Sequence, residues 1–528
     1  MTQRHQRLGK PASRTKNSIF NFITGMGGEL VGIILQFVVR TVFIHTLGKQ
    51  YLGIGSVFSN ILSMLSLAEL GVGSAILYKL YQPIAEEDQQ RITVLMHFYR
   101  RVYRWIGLVI GCIGLLMIPV LPYLVKDYGK LAALQINPVF IFLLYLFRTI
   151  SSYLFFAYKR AIIKANQQEY IVNLVKLGGT IISSIVQIIL LSTARDFTLY
   201  VGVLILTTIG ENIAIAIIAN IRYPFINEKD SERLSKEEIK GVVKDCYALM
   251  IYKMNGVVLK ATDNLVLSSF LGLDYVALYS NYYIFYTHMG TIMNRVYGSV
   301  VHSLGNLHVT NKGHKEYDVF ILMNFITAVI GATACIGLFC VADELIDVWV
   351  GSGWVLQQPF SALMGLEIYT LAVRHELSRF RNSMGLFQQA KYRPVAGMVI
   401  NLVVSVILVR YWGICGVLVG TIAADWLTIV WYDPIIIHKY GFKKPEYIRG
   451  YFVRYAAYTL LLVLSGAICY LICTHVLSGL GWLSVVAHTV FCALLVPLIY
   501  ILAVWNKPTG KFARAMLMKI LRKKRQTA

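Results

Sequence analysis

The chain has 528 residues, of which 57% are hydrophobic and only 15% charged, and its mean hydropathy is +0.61. Soluble domains carry about 25% charged residues, so this composition excludes a large soluble protein and indicates a membrane-embedded one. The formal net charge of +23 would suggest nucleic acid as the partner of a soluble protein, but the placement of the charges along this chain argues against that partner.

Residues 1–17 are basic and polar, and the apolar run after them is too long for a signal peptide and lacks a small-residue cleavage site. We therefore expect it to be retained as the first membrane helix. About 14 segments are long and apolar enough to cross a bilayer, which predicts an all-α integral membrane protein. In chain order the predicted helices are 18–45, 52–78, 104–125, 138–158, 170–192, 198–221, 246–271, 276–304, 318–341, 357–378, 393–410, 412–433, 451–474 and 481–505.

The basic residues alternate from loop to loop. With the N-terminus inside, roughly 37 of the 50 Lys and Arg residues fall on inner segments and roughly 5 on outer loops. This bias predicts that both termini are cytoplasmic, and it explains the net charge as a topology signal rather than a nucleic-acid footprint. The basic amphipathic tail, 506–528, is expected to lie on anionic membrane lipids.

A polar stretch at 222–245 separates six predicted helices from eight, and we interpret it as a cytoplasmic linker between an N-lobe (18–221) and a C-lobe (246–433). A repeated pattern, L-G-x-x-Y-x-x-[IL]-x-S, occurs at 47–56 and 271–280. In a second repeated pattern, a Gly-Val-Leu triplet precedes Glu211 and Asp425 by the same number of residues. The sequence thus predicts two six-helix lobes around a central cavity, with the helices at 451–505 outside the duplication.

Ionisable residues inside membrane spans are costly and usually face a wet cavity or another helix. In predicted helix 8, Asn281, His288, Arg295 and His302 recur every seven residues and form one polar line. Either a wet cavity or a hydrogen-bonded packing seam explains such a line.

Other spans carry isolated charges. Lys253, Lys260 and Asp263 lie in predicted helix 7, where a structural Lys260–Asp263 pair and, for Lys253, snorkelling to the interface are the alternatives to a binding role. The remaining candidate cations are Arg40, Arg148 and Arg374, and the remaining candidate carboxylates for ion coupling are Glu29 and Glu69.

The polar helices are the first pair of each predicted lobe, and cations outnumber carboxylates among the candidates. Such a cavity suits an anionic, hydroxyl-rich substrate. No P-loop, catalytic set or long outer domain is present, so the sequence predicts a transporter rather than an enzyme. The eight cysteines show no metal-ligand or disulfide spacing, and no cofactor or metal is expected.

The segments 40–88 (RTVFIHTLGKQYLGIGSVFSNILSMLSLAELGVGSAILYKLYQPIAEED) and 261–285 (ATDNLVLSSFLGLDYVALYSNYYIF) resemble bacterial polysaccharide flippases of the Wzx type. These belong to the multidrug/oligosaccharidyl-lipid/polysaccharide (MOP) exporter superfamily. The resemblance implies a 12-helix core with two further helices. It also implies export of an undecaprenyl-diphosphate-linked repeat unit across the bacterial plasma membrane, for capsule or exopolysaccharide biosynthesis.

The resemblance further implies that cations in the cavity hold the diphosphate, a role that we assign as an expectation to Lys260, Arg295, Arg40 and Lys253. The partner proteins to consider in such a pathway are a polysaccharide polymerase and glycosyltransferases.

Three alternative functions stay open on the sequence. Two belong to the same superfamily: an antiporter of small-molecule or drug cations, and a flippase for the peptidoglycan lipid precursor. The third is a membrane glycosyltransferase or polymerase.

Overall fold

The computed structural model describes residues 14–126, 128–133, 137–228, 234–309, 313–356, 358–386, 388–476, 479–511 and 514. Within helices 7 and 8 many side chains also lie outside the described part, among them those of residues 251–260, 295 and 298–309. The described part is helical and contains no strand.

We number the long helices 1 to 14 along the chain. Their bounds are Arg14–Leu47, Lys49–Leu65 with Leu67–Ala85, Gln89–Leu116, Pro138–Leu154, Glu169–Thr193, Phe197–Arg222, Lys236–Phe270, Leu273–Val309, Gly313–Val350, Phe360–Ser383, Arg393–Trp412, Ile414–Gly441, Tyr447–His475 and Trp482–Val504. Short helices connect them at Leu121–Leu124, Tyr128–Ala133 and Arg160–Ala165.

The predicted all-α membrane fold is confirmed, and each predicted segment corresponds to one of these helices. In the described residues, nine helices are long and apolar enough to cross a membrane, and a tenth is obtained by joining helix 4 to the short helix after it across a 47° bend. Helix 2 is divided at Ser66, and helix 12 contains two π-helical turns, Trp426–Val430 and Ile437–Gly441.

Several helices extend well beyond their apolar cores. Helix 3 begins at Gln89, about 15 residues before the predicted span, because Asp88 caps it by accepting a hydrogen bond from the backbone N–H of Arg91 at 2.8 Å. Helix 10 continues to Ser383 rather than ending near residue 378. A hydropathy search finds only the apolar part of a helix, so it does not find the polar, capped ends of helices 3 and 10.

Close helix packing depends on glycine at two places in the second half of the chain. A Cβ at Gly365 of helix 10 would lie 2.7 Å from the carbonyl oxygen of Cys335 in helix 9, and one at Gly420 of helix 12 would lie 2.8 Å from the backbone N of Ser405 in helix 11. Small residues at such contacts let helix backbones approach closely, as in other membrane bundles.

The chain divides into two compact units, Met1–Ala277 and Leu278–Ala528. Helix 7 belongs to the first unit, where it packs against both parts of helix 2. In the second unit, helices 13 and 14 pack against each other and against helix 9.

Of the C-terminal tail, only residues up to 511 and Arg514 are described. The guanidinium of Arg514 lies 4.4 Å from the ring centroid of Trp505. The rest of the predicted lipid-binding tail lies outside the described residues.

The start of helix 7 combines a capping box with an ion pair. The Ser235 hydroxyl accepts from the backbone N–H of Glu238, whose carboxylate accepts in turn from the Ser235 N–H at 2.8 Å and from Arg91 at the start of helix 3. These hydrogen bonds, the one from the Ser235 backbone first, lower the pKa of Glu238 below its ordinary value of 4.5.

We expect Ser235→Ala to destabilise this helix start by about 1 kcal/mol. Because the pKa of Glu238 is lower in the folded state, its contribution is present above the ordinary carboxyl pKa and is lost as the pH falls below 4.5. Hydrogen exchange at the first turn of helix 7 measures both effects, and Glu237→Gln, one residue away, is the control. Equal protection in Ser235→Ala and wild type would show that the cap does not hold this end.

Candidate functional site

A cavity of about 370 Å³ lies within the first unit. Its walls come from the second part of helix 2, from helix 3 and from residues 157–164 after helix 4. The polar lining combines one carboxylate, two cations and three phenols. These side chains are Glu69, Tyr99, Tyr103, Tyr158, Arg160 and Lys164.

Glu69, a predicted coupling carboxylate, is fixed at the wall of this cavity by two phenols. The hydroxyl of Tyr153 donates to Oε2 at 2.7 Å, and that of Tyr103 donates to Oε1 at 3.3 Å. The Tyr99 hydroxyl next to them donates to the backbone carbonyl of Gly73 at 2.9 Å. The bonds from Tyr153 and Tyr103 hold the carboxylate in place at the wall of the cavity.

Arg160 is the cation best placed to receive an anion in this cavity. One Nη donates to the side-chain oxygen of Asn212 in helix 6 at 2.5 Å, and the buried Nε has no hydrogen-bond partner among the described residues. Lys164, one turn further on, pairs with Glu169 at 2.6 Å, and both of these groups are partly exposed. The guanidinium thus keeps donor capacity for an acceptor such as phosphate.

The predicted cations Arg40 and Arg148 are brought together elsewhere in the first unit. Arg40 of helix 1 and Arg148 of helix 4 both interact electrostatically with Tyr200 of helix 6. The ring of Tyr200 is held by Phe43, with centroids 5.0 Å apart, and by a stacked Phe197 at 6.0 Å. Both predicted cations therefore lie in electrostatic range of the same phenol, that of Tyr200.

In the second unit, the predicted cation Arg374 has a carboxylate partner. It donates to Asp425 of helix 12 at 2.9 Å and to the hydroxyl of Tyr286 in helix 8 at 2.7 Å. Glu367, seven residues earlier in helix 10, is buried and adds a further electrostatic attraction. Arg374 is therefore an element of a buried ion-pair network, and its partner Asp425 was not among the predicted site residues.

Glu211 of helix 6 lies in electrostatic range of three cations, which in decreasing order of effect are Arg160, Lys176 and Arg148. Asp425 of helix 12 instead forms an ion pair with Arg374. Glu211 and Asp425 are the residues that share the Gly-Val-Leu spacing in the sequence. That spacing was the available signal for Asp425.

The other predicted residues are less completely described. Asn281 of helix 8 is fully buried and His288 half-buried, Asp263 of helix 7 is buried, and Glu29 of helix 1 is half-buried. The backbone places the remaining four predicted cations and histidines in helices 7 and 8, and their side chains lie outside the described part. These four are Lys253, Lys260, Arg295 and His302.

A buried carboxylate that sequence analysis missed lies in helix 10. Glu376 is 2% exposed, accepts a hydrogen bond from the amide of Asn324 in helix 9, and is hydrogen-bonded to Thr327. It borders a cavity of about 20 Å³, large enough for one water-sized ligand. Among the described atoms, Oδ1 of Asn324 and the hydroxyl of Tyr455 in helix 13, which also line this cavity, have no hydrogen-bond partner.

A second missed cluster lies about a turn and a half further along helix 10. Nη1 of Arg381, a residue only 1% exposed, donates to both carboxylate oxygens of Asp433 at 2.8 and 3.1 Å, and Arg393 of helix 11 donates to the same carboxylate at 2.8 Å. One carboxylate thereby joins helices 10, 11 and 12. Arg381 lies beyond the predicted end of helix 10, and Arg393 is the first residue of predicted helix 11, so the sequence placed neither of them within the interior of a span.

Comparison with known proteins bears on the fold. No protein-family model matches the sequence, and no curated protein matches it. A solved structure of the lipid II flippase MurJ in an inward closed conformation is similar, with a TM-score of 0.62 at 14% identity over 92% of this chain and 99% of that one. The chain has the fold of the MOP-superfamily transporters.

Two further structures support this assignment of the fold. An inward-facing multidrug-resistance MATE family transporter of the MOP superfamily has a TM-score of 0.53 at 14% identity, over 75% of this chain and 92% of its own. A MATE in the bent conformation has a TM-score of 0.50 at 12% identity, over 83% and 95%. The protein is accordingly a multi-pass membrane protein of this fold.

Proposed function

We propose that this protein is a flippase that moves an undecaprenyl-diphosphate-linked oligosaccharide repeat unit from the inner to the outer leaflet of the bacterial plasma membrane by alternating access. The observation that carries the proposal is the cavity of about 370 Å³ in the first unit, whose lining includes Arg160, Lys164 and three tyrosines. This combination fits a substrate with an anionic group next to a sugar.

The chemistry of the lining suits each part of such a headgroup. The guanidinium of Arg160, which has one nitrogen bonded to Asn212, offers further donors that match phosphate oxygens. Lys164, although paired with Glu169, adds a second cation to the lining. Tyr99, Tyr103 and Tyr158 add aromatic side chains to the same wall, which suits a neighbouring sugar. The volume suits the diphosphate and a neighbouring sugar, not a complete repeat unit.

Moving an anion outward is favoured by an inside-negative membrane potential, by about 2.3 kcal/mol per charge per 100 mV. A return step that carries a cation adds further driving force. The sequence left Glu29, Glu69 and Asp263 as coupling candidates, and we propose Glu376 as the coupling carboxylate instead. It is buried beside a cavity of single-ion size, where Asn324 and Tyr455 supply oxygens. Arg454 of helix 13 also lines this cavity, and one of its guanidinium nitrogens donates to the Tyr317 hydroxyl at 3.1 Å.

Two related functions are favoured by specific observations. A role as a lipid II flippase is favoured by the likeness to MurJ, and a cation antiporter by the likeness to MATE transporters. A deletion strain separates them: loss of viability indicates the peptidoglycan precursor, drug hypersensitivity indicates an antiporter, and a lipid-linked oligosaccharide accumulating inside indicates the proposed function. A glycosyltransferase or polymerase would instead show sugar-nucleotide or glycan turnover by the purified protein.

We expect Arg160→Ala to slow translocation about 10- to 100-fold, the effect of losing one charged hydrogen-bond partner, and Arg160→Lys to retain part of the rate. The assay uses vesicles containing the purified protein and undecaprenyl diphosphate with one fluorescent sugar, read out by a membrane-impermeant quencher. Arg101→Ala is the matched control, because Arg101 is an exposed arginine of helix 3 outside the cavity lining. Wild-type flipping by a folded Arg160→Ala protein would remove this cavity from the transport path.

A further inference from the structure

Half of the chain's cysteines gather at one place in the second unit. The Sγ atoms of Cys340 in helix 9, Cys473 in helix 13 and Cys492 in helix 14 all lie within 4.8 Å of one another. A fourth thiol, that of Cys469 one turn before Cys473, is hydrogen-bonded to Cys492. All of these cysteines are free thiols, and only Cys340 is more than slightly exposed.

We propose that Cys340, Cys473 and Cys492 bind one thiophilic monovalent ion, of which Cu(I) is the representative. Sulfur ligands select soft d¹⁰ ions over the harder metals. Three convergent sulfurs match the trigonal coordination that Cu(I) accepts, whereas structural Zn(II) requires four ligands in a tetrahedron. Cys469 lies outside the mutually close set, so the geometry provides three ligands rather than four.

A polar network one helical turn away supports a ligand-binding role. Glu344 follows Cys340 by one turn and His488 precedes Cys492 by one turn, so the pair lies on the faces that carry the thiols. His488 Nδ1 lies 3.0 Å from Glu344 Oε2, His488 Nε2 lies 2.8 Å from the carbonyl oxygen of Val476, and the Ser484 hydroxyl donates to Glu344.

Both ring nitrogens of His488 face oxygen atoms, so the ring is held in one orientation between helix 9 and the end of helix 13. Glu344 is partly exposed, with a side-chain exposure of 24%, and gives an ion a polar route to the buried sulfurs.

The positions of the three thiols determine what a bound ion would do to the protein. The three sulfurs come from three helices that pack together, so one bound ion cross-links helices 13 and 14 to helix 9. The ion is therefore expected to stabilise the attachment of the last two helices, by linkage to the folded state.

The test uses full-length protein in lipid nanodiscs, kept anaerobic and reduced, with Cu(I) partitioned against a colorimetric Cu(I) chelator. We expect one Cu(I) per chain and a higher unfolding temperature when it is bound. Cys473→Ser and Cys492→Ser should weaken binding by more than the roughly 10- to 100-fold that loss of an outer-shell partner costs, and should abolish the thermal shift. Cys112→Ser is the control, since Cys112 is an exposed thiol of helix 3 in the first unit.

Size-exclusion profiles of each variant, together with Cys340→Ser as an independent ligand variant, separate loss of the site from loss of folding. The proposal is overturned if the wild type retains no more Cu(I) than the Cys340→Ser/Cys473→Ser/Cys492→Ser protein, or if Cys112→Ser weakens binding as much as Cys473→Ser. Tighter binding of Zn(II) than of Cu(I) would also overturn it, because it would demand a fourth ligand.

Discussion

Replacing Asp425 by leucine is expected to lower the free energy of unfolding by about 3–5 kcal/mol, the cost of removing one partner from a buried ion pair. Asp425 accepts from Arg374 at 2.9 Å, and their side chains are only 4% and 18% exposed. After the substitution, the guanidinium of Arg374 stays buried among the helices and keeps the Tyr286 hydroxyl as a partner, but it has lost the Asp425 carboxylate. Thermal unfolding in detergent measures the loss, and Asp347→Asn, an exposed aspartate of helix 9, is the control.

The double variant Arg374→Leu/Asp425→Leu distinguishes a structural role of the ion pair from a role in substrate binding. Removing both charges restores most of the stability, because apolar residues often replace a buried ion pair at little cost. If Arg374 also contacts the substrate, as its place among the predicted cations suggested, flipping stays lost in this stable protein. Recovery of both stability and flipping would assign the pair a purely structural role and remove Arg374 from the substrate site.

The fold was largely predictable because a bilayer imposes long apolar helices on the sequence. All the predicted spans correspond to helices, and the largest disagreements occur at polar ends. Helix 10 is the informative case. Its predicted end near residue 378 excluded Arg381, which is almost fully buried, because an average over side chains cannot register that Asp433 neutralises it.

The candidate site was predictable only in part. The sequence shows how deep an ionisable residue lies within a predicted span, but it does not show which residues of other helices contact it. Glu69 was selected from its depth in the predicted span. Arg160 and Lys164 were not selected, since they follow the 47° bend near Phe156, where φ is +59°, and look like cations of an inner loop. Only the structure shows that Arg160 and Lys164 line the same cavity as Glu69.

The thiol cluster was not predicted from the sequence for a related reason. Metal motifs are recognised when ligands recur at short spacings within one element. Here Cys340 is separated from Cys473 by three intervening helices, and only helix packing brings the sulfurs within 4.8 Å.

Glu376→Gln is expected to uncouple transport from its ion gradient while leaving the protein folded. The glutamine has the shape of the protonated carboxyl group and preserves a polar partner for Asn324 and Thr327, but it cannot exchange a proton or balance a bound sodium ion. In vesicles, wild-type flipping should respond to an imposed sodium or pH gradient, and the glutamine variant should flip at one rate in either condition. Glu376→Ala, by contrast, leaves the polar groups around it unsatisfied and should cost about 1–3 kcal/mol of stability.

The two gradients identify the ion. A buried carboxylate in a bilayer is stable only when its charge is neutralised, and among the described residues no Lys, Arg or His nitrogen forms an ion pair with Glu376. Response to sodium at constant pH indicates that the oxygens of Asn324 and Tyr455 complete a sodium site. Response to pH without sodium indicates a proton carried on Glu376 alone. If Glu376→Gln keeps the full gradient response of the wild type, the coupling ion binds elsewhere, and Glu29, Glu69 and Asp263 become the residues to test.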